Sequence, residues 1–369
     1  MKVWFVAVIA VIQSLLLAAH LFVYHTLIAF WRPLSTTATL ALRDVILVLA
    51  FSFVTASLLG FNSSNRAITL FYRIAAVWMG FFNFFFWAAC LCRITDWVTA
   101  LVGLQANRPT IAAVFFGLAV LVGVYGLVNA RLIRIRRIPV QLPGLPESWR
   151  GRTALVASDL HLGHVNGPGF SRRIAALAAR LNPDIIFIPG DLFDGGKANA
   201  ARLAEPFRAL TPPFGSYFST GNHDEFGHVE LYAEVLTGVG IRVLTNEKVT
   251  VDGLQIAGVS NGDAGHPVRL RATLESLQLI PGKASILLNH IPSNLNEVEQ
   301  AGISLQLSGH THGGQMIPFT WLTHRVFGRF TYGLQRWGAM QVYTSSGVGT
   351  WGPPMRVGSR PEIVLFTFV

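Results

Sequence analysis

Two histidines one residue apart, His310 and His312, stand in the glycine-rich stretch 308–315, which reads Ser-Gly-His-Thr-His-Gly-Gly-Gln. They follow directly after residues 303–307, whose alternating apolar side chains are typical of a strand. Because side chains at i and i+2 of a strand project to the same side, both imidazoles are expected to point into one space. An isolated His-x-His is more often a pair of polar loop residues. The pair therefore predicts a metal site only if other ligands accompany it.

Four further clusters of carboxylate, amide and imidazole side chains occur, each directly after a short apolar segment. They are Asp159-x-His161, Gly190-Asp191-x-x-Asp194, Gly221-Asn222-His223-Asp224 and Asn289-His290. Open α/β sheets collect their ligands at the carboxyl ends of strands, so we expect all five clusters to meet. Mixed oxygen and imidazole ligands without thiolate suit Mn²⁺, Fe or Zn²⁺ better than a structural zinc site. Two such ions bridged by a carboxylate lie about 3.5–4 Å apart, and they activate water and neutralise a phosphoryl group.

The elements that must position these clusters begin after residue 150. Residues 139–146 contain three prolines and a glycine, which predicts a linker. A helix is predicted from an N-cap at Ser171 to about Leu181, where Asn182-Pro183 stops it. Short apolar segments bounded by turn residues predict buried strands. These segments are 154–157, 185–188, 217–219, 286–288 and 303–307.

The composition is that of a membrane protein. Of 369 residues, 51% are hydrophobic and only 13% are charged, and the mean hydropathy is +0.46. Four apolar runs predict membrane-spanning helices, and the first run is too long for the core of a signal peptide. They lie near 3–30, 44–60, 68–92 and 110–130. We expect about four helices over 1–130, a juxtamembrane linker or first strand over 131–150, and a catalytic domain over 151–369.

An even number of spans places the amino terminus and the domain after residue 130 on one side of the membrane. That side carries Lys2, Arg66 and the arginine cluster 131–137, and the opposite side carries Arg32, Arg43, Arg93 and Arg108. The positive-inside bias predicts that the first side is cytoplasmic. If the arginine cluster belongs instead to the first strand of the domain, the bias weakens, and one span more or fewer inverts the orientation.

The formal net charge of +10 raises the question of nucleic-acid binding. No run of lysine and arginine is interleaved with aromatic residues, and the sequence contains no recognised nucleic-acid module. We therefore expect the arginine cluster to face the headgroups of a lipid bilayer, and we expect no nucleic-acid partner. The sequence implies no protein partner.

The five clusters, in this order, resemble the motifs of the calcineurin-like metallophosphoesterase superfamily over nearly all of residues 151–369. The resemblance implies an α/β fold, a four-layer β sandwich flanked by helices, with a dinuclear metal centre at the strand ends. It also implies the ligands. Asp159, His161 and His312 would hold one ion, Asn222, His290 and His310 would hold the other, and Asp191 would bridge both.

The resemblance further implies catalytic roles beside the metals. His223 would protonate the leaving group or stabilise the transition state, and Asp194 would orient His223, since a carboxylate can fix the tautomer of an imidazole. Asp224 is expected behind the ligands rather than in catalysis. Arg356, in a late glycine-rich loop, is a candidate phosphate contact.

One departure narrows the substrate class. Protein phosphatases of the superfamily carry an arginine directly after the second aspartate, where this chain has Gly195-Gly196. The pattern looks more like the bacterial membrane-associated branch, which includes phosphodiesterases and UDP-diacylglucosamine pyrophosphatases. This similarity implies a multi-pass protein of the bacterial inner (plasma) membrane with manganese as the favoured metal. It also implies a phosphorylated substrate, either a small molecule or one linked to a lipid or a nucleotide.

Three questions stay open at this point. The aromatic and arginine-rich segment 316–340 either packs on the core or overhangs the metals and receives an acyl chain or a membrane surface. A sensor or scaffold that binds a phosphorylated ligand without turnover is an alternative to the enzyme. A transporter with a phosphoesterase appendage is a second alternative, for which ionisable residues deep in the spans would be the indication.

Overall fold

The computed structural model describes residues 2–31, 34–227 and 229–369, without the side chains of Lys2, Val3 and Phe5. Two residues in the orientation prediction, Arg32 and the side chain of Lys2, lie outside this description. The chain forms two compact units. The first comprises Met1–Val128 with Gly352–Met355, and the second comprises Asn129–Trp351 with Arg356–Val369.

The first unit contains the four expected apolar helices. They are α1 (Lys2–Phe30), α2 (Thr36–Asn62), α3 (Arg66–Leu101) and α4 (Arg108–Asn129). All four are long and apolar enough to cross a bilayer. The second and third helices begin at polar N-caps, where Ser35 Oγ accepts from the Ala38 N–H and Asn65 Oδ1 from the Ile68 N–H. The α2 helix begins eight residues before the predicted apolar run, because the cap and not the first apolar residue sets the start.

The second unit contains two six-stranded mixed sheets. The first sheet has the order β1-β12-β2-β3-β4-β5 and the second has the order β10-β11-β9-β8-β7-β6. The strands are β1 (Arg134–Val140), β2 (Thr153–Val156), β3 (Ile185–Pro189), β4 (Ser216–Ser219), β5 (Ile241–Val243), β6 (Glu247–Val251), β7 (Leu254–Gly258), β8 (Ser285–Leu288), β9 (Leu305–Ser308), β10 (Gly333–Trp337), β11 (Met340–Thr344) and β12 (Glu362–Phe368).

Eight α-helices accompany the sheets in the described part of this unit. They are α5 (Pro168–Leu181), α6 (Ala200–Ala204), α7 (Asn222–Phe226), α8 (Val229–Gly238), α9 (Asn261–Ala264), α10 (Pro267–Ser276), α11 (Leu295–Gln300) and α12 (Phe319–Phe327). The α5 helix begins three residues before the predicted cap at Ser171, because Pro168 follows the N-cap Gly167 and suits the first helical turn. It ends as expected at Asn182, which has a left-handed backbone.

The side chains of β3 show how the layers stack. Ile185 and Phe187 point into the apolar core between the two sheets, where Ile286 and Leu305 of the second sheet meet them. The alternate residues of β3 point to the opposite face, which α5, α6 and α8 cover. The second sheet is covered on its outer face by α10 and α11. Each large apolar side chain buried in these layers contributes about 1.5–3 kcal/mol to the free energy of unfolding. This stacking of helices and sheets confirms the predicted sandwich of two sheets flanked by helices.

The predicted linker is partly wrong. Residues 134–140 form β1, which pairs in parallel with β12, so Pro139 and Val140 belong to a strand. Proline is tolerated there because β1 is the edge strand of its sheet. Three arginines of the 131–137 cluster therefore lie on the first strand of the second unit, the alternative that weakened the orientation prediction.

Candidate metal centre

The strand topology brings the predicted clusters to one place. The strands β2, β3 and β4 run in parallel, as do β8 and β9, so their carboxyl ends lie at common sheet edges. Each of the five clusters follows one of these strands. Parallel strands with crossover connections gather loop residues in this way.

Five of the predicted ligands adopt left-handed backbone conformations, with φ of 53°, 45°, 51°, 67° and 49°. They are Asp159, His161, Asp191, His310 and His312. A non-glycine residue in this region is uncommon, costs about 1–3 kcal/mol, and is found most often at functional sites. The expected strand geometry of the two histidines is therefore wrong, since β9 ends at Ser308. Gly309 is required between them and the strand, because a Cβ there would collide with Ser158 and Asp159.

The first predicted ligand set forms a compact, buried group. The Nε2 atoms of His161 and His312 are 3.0 Å apart, and Asp159 Oδ1 lies 3.4 Å from His312 Nε2. Asp159 is held by two neighbours: Ser158 Oγ donates to Oδ2, and the backbone N–H of His310 donates to Oδ1 at 2.8 Å. These three ligand groups can hold a metal ion.

The second set joins His290 and His310, which follow strands of the second sheet, to Asn222, which follows β4 of the first sheet. Asn222 Oδ1 is 2.9 Å from His310 Nδ1, and His290 Nε2 is 3.2 Å from Asp191 Oδ2. The Nδ1 of His290 lies 2.9 Å from the carbonyl oxygen of Pro189. A ring N–H donated to a carbonyl leaves the other nitrogen with its lone pair for a metal.

Asp191 lies between the two sets. Its Oδ2 is 3.6 Å from His161 Nε2 of the first set and 3.2 Å from His290 Nε2 of the second. Its Oδ1 accepts a 2.9 Å hydrogen bond from the backbone N–H of His223. One oxygen is thus fixed by the protein backbone, and the other faces both imidazoles.

The electrostatics favour the protonation state that a metal ligand needs at three of the predicted ligands, Asp191, His310 and His312. Burial instead raises the pKa of Asp159, and in His161 burial would lower the pKa but the hydrogen bond to Asp194 raises it. Burial alone would raise the pKa of Asp191, but the charge of His290 outweighs burial and lowers that pKa below its ordinary value. Burial lowers the pKa of His310 to about 4, and burial followed by the charge of His161 holds the pKa of His312 well below its ordinary value. Burial would lower the pKa of His290, yet Asp191 raises it to about 10. A bound cation would replace that proton, since the same carboxylate attracts both.

A divalent ion fits these residues. The Nε2 atom of His290 is buried and has no well-directed hydrogen-bond partner among the described residues, and a buried polar atom without a partner is costly. The donors are carboxylate, amide and imidazole groups without thiolate, the set expected for a catalytic divalent metal.

The comparisons with known proteins place the chain in a family. The calcineurin-like phosphoesterase model matches residues 152–314. A metallophosphoesterase of Aquifex aeolicus, otherwise uncharacterized, is 32% identical over 256 residues, which are 68% of this chain and 97% of that protein. The chain belongs to the calcineurin-like metallophosphoesterase family. A Danio rerio protein named transmembrane protein with metallophosphoesterase domain is 35% identical over 274 residues, 69% of this chain. The match covers 62% of the length of the zebrafish relative.

Within this metallophosphoesterase, the carboxylate of Asp194 contacts two imidazoles. Its Oδ1 lies 3.1 Å from His161 Nδ1 and 3.5 Å from His223 Nδ1. Asp194 is thus closer to a predicted ligand than to the histidine it was expected to orient. Burial, followed by the charge of His161, lowers the pKa of His223. His223 is half-buried and borders the ligands, so its ring can meet a bound molecule.

Asp224 lies behind the ligands, as the sequence predicts. Its Oδ2 accepts from the backbone N–H groups of Asp191 and Gly221, both at 2.8 Å, and its Oδ1 accepts from Phe193 N–H at 2.9 Å. Burial and then the charge of Asp191 raise the pKa of Asp224 to about 7. This carboxylate ties the loop after β3 to the turn after β4.

The structure contradicts the expected phosphate contact of Arg356. This side chain is 0% exposed. Its guanidinium donates to the carbonyl oxygens of Gly349 at 2.6 Å, His312 at 3.1 Å and Gly347 at 3.3 Å, and to Ser359 Oγ at 3.3 Å. Every donor is occupied by the protein, so Arg356 braces the backbone beside His312 and does not face a substrate.

A contact that the sequence does not predict joins Gln315 to Trp351. Gln315 Nε2 donates to the Trp351 carbonyl and Gln315 Oε1 accepts from the Trp351 N–H, both at 2.9 Å. The Trp351 ring is 58% exposed, and its centroid lies 6.0 Å from that of His223. Gln315 could have been suspected because it closes the Gly-His-x-His-Gly-Gly-Gln stretch, whereas nothing in the sequence marks Trp351.

The aromatic segment 316–340 lies partly in the core, as one expectation had it, and partly at the surface. Phe330 is buried in the core under the second sheet. The α12 helix instead exposes Phe319, Trp321 and other apolar side chains. At the end of α12 the Phe327 ring lies 6.0 Å from the His310 ring, so the helix borders the predicted centre.

Proposed function

We propose that this metallophosphoesterase is a membrane-anchored enzyme whose domain at 151–369 hydrolyses a phosphodiester or pyrophosphate bond with two divalent ions. The observation that carries the proposal is the place of Asp191, whose Oδ2 faces His161 at 3.6 Å and His290 at 3.2 Å. A carboxylate oxygen between two ligand sets is suited to bridge two ions. Manganese is the favoured metal, with iron and zinc as alternatives.

The roles of the residues follow from their contacts. Asp159, His161 and His312 would hold one ion, and Asn222, His290 and His310 the other. Ions bound there would supply hydroxide near neutral pH and offset charge on the phosphoryl group. His223, whose ring lies beside Asp194, His161 and Trp351, is placed to deliver a proton to the leaving oxygen. Asp194 would position both His161 and His223.

Two observations support a diester or pyrophosphate substrate with an apolar part, rather than a phosphomonoester on a protein. Gly195 occupies the position where protein phosphatases of the superfamily carry an arginine, and a Cβ at Gly195 would lie 2.7 Å from the His223 carbonyl oxygen. The exposed apolar face of α12, beside His310, offers a surface for the apolar part of a substrate. A lipid-linked or nucleotide-linked substrate of the kind that UDP-diacylglucosamine pyrophosphatases cleave satisfies both observations.

The four apolar helices support membrane anchoring. Each is long enough to cross a bilayer, and two relatives, from zebrafish and cattle, are named transmembrane proteins with a metallophosphoesterase domain. We propose that the helices span the bacterial plasma membrane and that the catalytic domain lies on the cytoplasmic side.

The test is hydrolysis of bis-p-nitrophenyl phosphate and p-nitrophenyl phosphate by the full chain in detergent, with Mn²⁺, Zn²⁺ or chelator. We expect metal-dependent cleavage of the diester, lost in His310→Ala. The control is His266→Ala, which removes an exposed histidine before α10, away from the predicted ligands, and should leave the rate unchanged. A folded chain that binds two ions and cleaves neither ester would refute the enzyme and favour the sensor or scaffold.

A further inference from the structure

A cleft of about 460 Å³ opens beside the edge strand β1 of the first sheet. None of its lining residues is a predicted metal ligand. They are Arg134, Ile135, Arg136, Tyr332, Arg360 and Glu362. Arg134 and Arg136 lie two residues apart on β1 and therefore share one face of the strand. The volume falls within the roughly 300–1,000 Å³ typical of ligand sites.

The cleft carries a net positive charge. Its lining contains three guanidinium groups, those of Arg134, Arg136 and Arg360, and one carboxylate, that of Glu362. Both oxygens of this carboxylate already accept hydrogen bonds from tyrosines. Glu362 Oε1 accepts from the Tyr343 hydroxyl at 2.8 Å, and Oε2 accepts from the Tyr332 hydroxyl at 2.7 Å. Among the described residues, no ion pair neutralises the side chains of Arg134, Arg136 or Arg360. The cleft is therefore suited to an anion.

One of the arginines is held in place. Arg136 Nη1 donates to the Tyr332 hydroxyl at 2.6 Å, and its guanidinium lies over the Tyr332 ring, 5.2 Å from the centroid. Burial and then the charge of Glu362 raise the pKa of Tyr332 to about 12, so the hydroxyl keeps its proton at neutral pH. A guanidinium whose orientation is already fixed loses less entropy when it binds the oxygens of a phosphate.

The chain itself keeps the cleft near the bilayer. The last apolar helix ends at Asn129, and Arg134 begins β1. Five residues span at most about 18 Å. The headgroup layer on each side of the hydrocarbon core is itself roughly 5–8 Å thick, so a cleft on β1 is within reach of lipid headgroups if α4 crosses the membrane.

We propose that this cleft binds the phosphate group of an anionic phospholipid headgroup, in the membrane that carries the four helices. The inference rests on the membrane insertion proposed above. A phosphodiester headgroup offers oxygens to the guanidinium forks of Arg134, Arg136 and Arg360, and its acyl chains remain in the bilayer. The ligand is then a lipid that anchors and orients the domain, and not the substrate of the metal centre.

The test is native mass spectrometry of the full chain in detergent, titrated with dioleoylphosphatidylglycerol or dioleoylphosphatidylcholine. We expect about tenfold tighter binding of the anionic lipid, because the choline cation of the zwitterionic lipid offsets the charge of its phosphate and repels the three guanidinium groups. The double variant Arg134→Gln/Arg136→Gln should lose this preference. The matched control Arg131→Gln/Arg137→Gln removes the same charge, from Arg137 on β1 and from Arg131 just before it, but outside the cleft, and it should keep the preference. Tyr332→Phe, which retains every charge, should weaken binding of the anionic lipid about threefold.

Three outcomes would overturn the proposal. Equal losses in the two double variants would indicate general attraction between basic residues and the bilayer. Equal affinity for the two lipids would exclude recognition of the headgroup charge. Displacement of the lipid by an equal concentration of inorganic phosphate would identify a free-phosphate site. Release of the wild-type chain from vesicles by alkaline carbonate would instead refute membrane insertion, a failure separate from that of the cleft.

Discussion

The buried Arg356 gives a prediction that separates a structural role from a substrate contact. We expect Arg356→Lys to destabilise the protein while leaving the KM for bis-p-nitrophenyl phosphate unchanged. The native guanidinium donates to three backbone carbonyls, those of Gly347, Gly349 and His312. A lysine places its donors on one nitrogen and cannot reproduce the planar guanidinium fork, so we expect two of these bonds to be lost.

The magnitude follows from the number of bonds lost. A hydrogen bond from a charged donor contributes about 1.5–3 kcal/mol, so two lost bonds cost about 3–6 kcal/mol. In a domain of this size each kcal/mol lowers Tm by roughly 2–4 °C, which predicts a fall on the order of 10 °C. Thermal unfolding of the full chain in detergent, followed by intrinsic fluorescence, measures this shift.

The matched control is Arg360→Lys, four residues away on an exposed side chain. We expect its Tm to change by less than about 2 °C. The structural role of Arg356 is refuted if Arg356→Lys keeps the wild-type Tm and raises KM about tenfold, the pattern of a lost substrate contact.

Three further predictions concern the supports of the site and the fold. In Asp224→Ala, three buried backbone N–H groups lose their acceptor at about 1–3 kcal/mol each, so Tm should fall and calorimetry should show weaker Mn²⁺ binding; wild-type values of both would contradict this role. We infer that the exposed Trp351 ring, 6.0 Å from the His223 ring, contacts the diester. Gln315→Ala should then raise the KM for the diester about three- to tenfold with little change in Tm, because it releases the backbone of Trp351; an unchanged KM would contradict this contact. In Asp184, burial opposes ionisation, but hydrogen bonds from Thr153 and Arg152 outweigh it and lower the pKa. The stabilisation by Asp184 is thus present above its unfolded pKa of about 3.9 and is lost as pH falls through the folded pKa. Asp184→Asn should therefore be destabilised by about 1 kcal/mol at pH 7 and by less at pH 3, measured by urea unfolding, and a difference that grows on acidification would be inconsistent with the lowered pKa.

The sequence predicts most of the elements that bring the site together. Short apolar segments such as 185–188 mark strands because burial on both faces of a sheet requires apolar residues at successive positions. The ligand clusters stand out because each places carboxylate or imidazole groups directly after a strand, and three of the five also contain glycine. These features are local, so they can be recognised before the fold is known.

The features that the sequence does not predict depend on pairing over long distances. β1 looks like a proline-containing linker until β12, more than 200 residues later, supplies its partner. Arg356 resembles a phosphate ligand until the carbonyls that surround it are known. The left-handed backbone of His310 and His312 likewise accompanies side-chain contacts with residues that follow strands of the other sheet, such as Asn222 and His161.

The central claim is that Asp191 bridges two catalytic ions, and one comparison tests it most directly. Metal content and Mn²⁺-dependent hydrolysis of bis-p-nitrophenyl phosphate are measured for the wild type, Asp191→Ala and the control His266→Ala, each shown to be folded by its Tm. We predict two ions per chain and turnover in the wild type and the control, and a loss of at least about a thousandfold in rate, about 4 kcal/mol of transition-state stabilisation, in Asp191→Ala. Full activity of Asp191→Ala with two bound ions would contradict the bridge and the function built on it.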